Sequence, residues 1–90
     1  MPEFQWNALK SRRLKRTRGA SFADLLLSRL IGTVHHPSRP QEMMLFEFRG
    51  YVWAVPFVQT GDVIFLKTLY PSRKHTRLYR EGTLRCDESS

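Results

Sequence analysis

Cysteine is almost missing from this sequence, with Cys86 standing alone among 90 residues. One thiol cannot close an intramolecular disulfide, which excludes a disulfide-stapled secreted scaffold. Long apolar runs are absent too, and none approaches the ~18 residues that a membrane-spanning helix needs. The start, Met1-Pro2-Glu3-Phe4, lacks the basic-then-apolar pattern of a signal peptide, so a soluble cytoplasmic protein is expected. Acids are scarce: eight Asp and Glu face fifteen Lys and Arg, a formal charge of +7. Such an excess draws polyanions, RNA before DNA on this reading, although a solvated basic surface carries the same charge. No Gly-rich phosphate loop, zinc-ligand spacing or Ser-His-Asp pattern occurs. His35 and His36 are adjacent, so on a strand they point to opposite faces, and no metal site is expected there. No cofactor is expected either.

What is present belongs to a small globular domain. Hydrophobic residues make up 41% of the chain, too many for a disordered polar segment. No internal repeat or linker divides it. The expected layout is one domain over 1–83 and a polar tail over 84–90, with Cys86 an exposed, inert thiol in that tail. Phe4-Gln5-Trp6 reads as a brief strand, and Asn7 can cap a helix from Ala8 to Thr17 that Gly19 stops. Lys10, Arg12, Arg13, Lys15, Arg16 and Arg18 make that helix strongly basic. Ser21 and Asp24 have capping-box spacing ahead of a second helix, with Phe22, Leu25, Leu26, Leu30 and Ile31 at helical positions and Gly32 closing it.

The rest reads as strands. Met43–Phe48 and Tyr51–Val58 flank Arg49-Gly50, the signature of a tight hairpin, and Thr60-Gly61-Asp62 precedes Val63–Leu69. A two-residue turn at Arg49-Gly50 sets Phe48, Phe46 and Met44 opposite Tyr51, Trp53 and Val55. A turn on Thr60-Gly61 sets Phe57 opposite Ile64. Alternation then gathers Met44, Phe46, Phe48, Tyr51, Trp53, Val55, Phe57, Ile64 and Leu66 on one face, expected to be the core. The opposite face carries Leu45, Glu47, Arg49, Val52, Ala54, Val58, Phe65, Lys67 and Leu69. Its mixed character suggests a concave binding surface. After Pro71, Ser72 can cap a short basic helix to about Arg80. The expected architecture is therefore an α/β (α+β) fold. Two N-terminal helices pack on one face of a four-stranded, mainly antiparallel sheet, and a short C-terminal helix follows.

Several segments resemble a known family. Phe4-Gln5-Trp6-Asn7 with Lys10 is similar to the Phe-Glu-Trp-Asp…Lys opening of BrnT-like toxins from bacterial type II toxin–antitoxin pairs. Arg18-Gly19-Ala20-Ser21-Phe22 resembles their "HGVSF" segment. Gly50–Phe57 and Ile64–Lys74 look like a related branch of short toxin-like proteins. The resemblance runs over roughly residues 4 to 80. Gln5 and Asn7 stand where acids are usual, and Tyr-Pro-Ser-Arg-Lys-His-Thr (70–76) replaces the usual Ser-Ala-Arg. The resemblance implies a RelE-type small-ribonuclease fold, metal-independent RNA cleavage and neutralisation by a cognate DNA-binding antitoxin.

Metal-free cleavage uses the RNA's own 2′-hydroxyl, so the protein must move protons and stabilise charge on phosphorus. Lys67, Arg73, His75, Arg77 and Tyr79 follow one another along the last strand and helix. The catalytic candidates are Arg73 and Lys67 for phosphate, His75 for proton transfer and Glu47 as base. Lys10, Arg12, Arg13, Lys15, Arg16, Arg77 and Tyr79 are RNA-binding candidates, since Arg in particular donates paired hydrogen bonds to phosphate. Each has a plainer reading, because basic residues near a helix C-terminus suit its dipole and are often solvated. Trp6 can stack on a base or fill the core. Two other functions fit the same residues: a non-catalytic nucleic-acid-binding module, and an interaction protein whose basic face serves only to bind an antitoxin.

Overall fold

The computed structural model describes residues 2–36 and 38–86. In chain order it contains β1 (Glu3–Gln5), α1 (Ala8–Arg18), α2 (Phe22–Leu26), β2 (Arg29–His35), β3 (Glu42–Phe48), β4 (Tyr51–Thr60), β5 (Val63–Leu66), β6 (Tyr70–Pro71) and α3 (Arg73–Glu81). Local chemistry accounts for the helix ends. Asn7 Oδ1 accepts the Lys10 N–H at 3.0 Å, and Gly19 takes φ 96° beyond the last turn of α1. At α2, Ser21 Oγ accepts the Asp24 N–H while the Asp24 carboxylate accepts the Ser21 N–H, a complete capping box. Ser72 caps α3 through the His75 N–H.

The expected four-stranded, mainly antiparallel sheet is corrected. Among the described residues six strands form one mixed sheet in the order β1-β5-β4-β3-β2, with β6 also on β4. β1 runs parallel to β5, pairing Phe4 with Ile64, and β6 pairs Tyr70 with Ala54. Strands of three and two residues carry too little alternation to register in a sequence pattern. The second helix also ends at Leu26, six residues before Gly32. Leu30 pairs with Phe46 instead, and Thr33 and Val34 continue along β3. Ladder pairing outweighs the helical spacing of Leu30 and Ile31 there.

The β3–β4 register agrees with the two-residue turn: Phe48 lies opposite Tyr51, Phe46 opposite Trp53 and Met44 opposite Val55. Arg49 and Gly50 both take positive φ, 54° and 74°, the backbone of a type I′ turn. The β4–β5 register differs from the expected one by two residues. The turn is Gly61-Asp62, Thr60 pairs with Val63, and Phe57 lies opposite Leu66. A shift of two preserves the faces, so the expected core set survives it.

α1 and α2 cover that face, where Leu14, Ala20, Phe22 and Leu25 meet Met44, Phe46, Trp53, Val55, Phe57, Ile64 and Leu66. The opposite face is not the open concavity expected. Val34, Met43, Leu45, Val52 and Ala54 form a second buried cluster, with Tyr70, Tyr79, Leu84 and Cys86 packed on it. The helices therefore flank the sheet, and the helical layer is not confined to one side. Leu69 crosses to the first cluster. Cys86 is half-buried rather than exposed, while residues 87–90 of the expected tail lie outside the described residues.

α3 is bolted to β4 by one buried hydroxyl. Thr76 Oγ1 accepts the Val52 N–H at 2.9 Å and donates to the Ser72 carbonyl at 2.6 Å, while the Ser72 N–H reaches the Val52 carbonyl at 2.8 Å. β6 and α3 thus continue along the half of β4 that β5 leaves unpaired.

Candidate nucleic-acid interface

The second face is covered only in part. α3 and the 83–86 segment lie over its β2–β3 side and the start of β4. Beyond Pro56 the floor is open: Val58 is 46% exposed and Phe65, paired opposite it, 41%. The β2–β3 loop and the start of α1 rise around this floor. Together they enclose a cleft of about 600 Å³ lined by Asn7, Lys10, His36, Arg39, Gln41, Pro56, Phe65, Lys67 and Tyr70, among others.

Each wall has a local cause. Lys67 follows β5, and its N–H donates to the Pro56 carbonyl at 2.9 Å, so its side chain leaves on the second face. Lys10 is held at the first turn of α1 by the Asn7 cap. Pairing of Glu42 with Phe57 and of His35 with Glu42 brings the β2–β3 loop to this end of the sheet. His36 closes that loop by donating its backbone N–H to the Gln41 carbonyl at 2.7 Å. Its Nδ1 accepts the Ser38 N–H at 3.1 Å, which places the proton of the neutral ring on Nε2. Three cations and an imidazole therefore line the same cleft as an exposed aromatic ring. That combination suits a phosphodiester whose base stacks on Phe65.

The expected catalytic quartet is not gathered in one place. Lys67 lines the cleft, whereas Arg73 lines a separate groove with Tyr51, Lys74, Thr76, Arg77, Arg80 and Glu81. Glu47 shares the second face with Lys67 but sits opposite Val52, two strands away and four residues along β4. At strand spacings their backbones are about 16 Å apart, too far to share one phosphate. The Glu47 carboxylate instead accepts the Tyr79 hydroxyl at 3.0 Å. His75 lies one turn before Tyr79, with Nδ1 2.7 Å from Ser72 Oγ. Burial, and then the Lys74 ammonium, pushes its pKa below the ordinary histidine value.

The α1 candidates divide. Lys15 is bound to Asp24 at 2.6 Å. That hydrogen bond, with the capping N–H of Ser21, holds the Asp24 carboxyl at about 2. Arg18 donates to the Leu69 carbonyl and ties α1 to the segment before β6. Arg12, Arg13 and Arg16 are exposed and form no ion pair among the described residues. Trp6 packs on Phe22 with ring centroids 6.0 Å apart, at the margin of the first cluster. His35 is exposed on β2.

Sequence reasoning did not single out His36, Arg39 or Phe65 as parts of one cleft. The signal that finds them is the hairpin register, which sets the loop before Glu42 beside Pro56, Phe57 and the end of β5. No protein-family model matches this chain, and no curated protein matches it.

Proposed function

We propose that this protein binds RNA in the cleft between Lys10, His36, Arg39 and Lys67 and cleaves it without a metal ion, as the toxin of a type II toxin–antitoxin pair. The observation that carries the proposal is the convergence of three cations and one imidazole on a cleft floored by exposed Phe65. In this reaction the RNA 2′-oxygen attacks phosphorus and the bond to the 5′-oxygen breaks, leaving a 2′,3′-cyclic phosphate and a 5′-hydroxyl. Lys67 and Arg39 bind the phosphate and stabilise the charge that builds on it. His36 exchanges a proton with the reacting oxygens, the work for which imidazole is suited near neutral pH. The resemblance of residues 4 to 80 to BrnT-like toxins supports the reaction class, and implies control by a cognate DNA-binding antitoxin.

Purified protein is expected to cut RNA in excess EDTA and to leave cyclic or 3′-phosphate ends. Lys67→Ala and His36→Ala should each slow cleavage on the order of 100-fold with unchanged melting temperature. Activity lost in EDTA and restored by a divalent ion refutes the mechanism. A second reading, a non-catalytic RNA-binding module, is favoured by one observation: Arg73 and Glu47 lie outside the cleft, and Glu47 is engaged by Tyr79. RNA that is bound by the wild type yet stays intact selects that reading.

A further inference from the structure

α3 carries a second cationic surface, apart from the cleft. Arg73, Arg77 and Arg80 lie four and three residues apart, which places them along one side of the helix with rises of about 6 and 4.5 Å. They line a single groove beside Tyr51 at the start of β4. The Arg80 guanidinium is anchored, donating to the Gly50 carbonyl at 2.8 Å. Arg73 and Arg77 are exposed and form no ion pair among the described residues. The Tyr51 ring packs against the first cluster, while the cleft opens on the second face. Along β4 the two places are separated by the stretch from Tyr51 to Pro56, about 16–17 Å at strand rise.

We infer that the Arg73–Arg77–Arg80 groove is a second RNA contact that holds sugar-phosphate backbone outside the reacting nucleotide. The inference rests on the RNA-binding reading above and adds a second contact to it. Charge and shape decide the class of partner. Three arginines on successive turns of α3 line one groove, and only one carboxylate, Glu81, lies among them. A protein partner would centre on a packed anchor such as Trp, Tyr or Arg, and the aromatic ring of this groove, Tyr51, is packed against the first cluster. The large exposed hydrophobic side chains are Phe4, Leu9, Leu27, Leu30, Val58 and Phe65, and none belongs to α3. At about 16–17 Å the groove is beyond the reach of the phosphate held by Lys67, so an RNA must extend several nucleotides to occupy both sites.

The test is equilibrium binding of 2′-O-methyl RNA, which cannot be cleaved by 2′-attack, at lengths of about 4 and about 16 nucleotides. The proteins compared are the wild type, Arg73→Ala with Arg77→Ala, the same pair changed to Lys, and Lys67→Ala with Arg39→Ala. The alanine pair on α3 should weaken the longer RNA at least ~10-fold more than the shorter one and flatten its log–log salt slope by about 1.4. The lysine pair, which keeps the charge, should restore most of that slope. Equal loss at both lengths overturns the inference, as does an unchanged slope, because the groove then belongs to the cleft or faces another partner. If the cleft pair has no effect while the α3 pair behaves as stated, the cleft reading fails and the α3 contact stands.

Discussion

Replacing Thr76 by Val keeps the volume and branching of the side chain but removes the hydroxyl that joins α3 to β4. Thr76 is 4% exposed and Val52 1%, so no water stands ready to replace it. The Ser72 carbonyl keeps a partner, because it also accepts the Thr76 backbone N–H at 3.0 Å. The Val52 N–H does not, since its acceptor is the lost oxygen at 2.9 Å. A buried donor left without a partner costs roughly 1–3 kcal/mol, far more than the small difference in helix propensity between Thr and Val. About 2 kcal/mol is expected, which for a domain of this size lowers the melting temperature by roughly 10 °C. Thr76→Ser retains both bonds and loses one methyl, so its cost should stay below about 1 kcal/mol. Urea unfolding followed by tryptophan fluorescence measures both variants. If Val is tolerated within about 0.5 kcal/mol, or Ser costs as much as Val, the hydroxyl is not what holds α3 and the reasoning fails.

Two further outcomes follow from local contacts. The Asp24 carboxyl, held at about 2 instead of 3.8, makes a stabilising contribution that is complete above pH 4 and vanishes as the pH falls through 2. The shift alone corresponds to about 2.4 kcal/mol, but the pair with Lys15 is partly solvated, with side chains 47% and 30% exposed, so about 1 kcal/mol is expected. Asp24→Asn should therefore melt below the wild type at pH 7, with a gap that shrinks as the pH falls through 2; a gap as wide at pH 2 as at pH 7 contradicts this. At Gly32 an added Cβ would lie 2.6 Å from Cys86 Sγ, so Gly32→Ala should push the 83–86 segment off the second cluster. Cys86 should then react faster with an aromatic disulfide reagent, and Cys86→Gly in the same chain should recover the lost stability. Unchanged thiol reactivity counts against that packing.

Elements with their own local chemistry were legible from sequence. Asn7, Gly19, the Ser21–Asp24 box and Ser72 marked helix ends because capping depends on residues only a few positions apart. Arg49-Gly50 set a register because a two-residue turn admits one pairing. β1 and β6 were too short to show alternation. Leu30 and Ile31 kept helical spacing yet joined a strand, since β3 offers Leu30 and Gly32 ladder partners, with Ile31 at the bulge between them, that no local pattern reveals. The second cluster was misread for a related reason. Leu45 shares its side of β3 with Glu47, which gave that face a mixed character, and only the return of α3 and Leu84 across Leu45, Val52 and Ala54 makes it a core. The candidate cleft depends on three remote segments meeting, so Lys67 stood out by charge alone, whereas His36 and Arg39 needed the strand register to join it.

The cleft's role is tested most directly by single-turnover cleavage of RNA in EDTA, comparing the wild type with Lys67→Ala, His36→Ala and Arg39→Ala after their melting curves have been shown to coincide. Wild-type protein should generate a 2′,3′-cyclic phosphate, and each variant should lose rate on the order of 100-fold. Cleavage at the wild-type rate by all three folded variants would show that the chemistry lies outside the cleft.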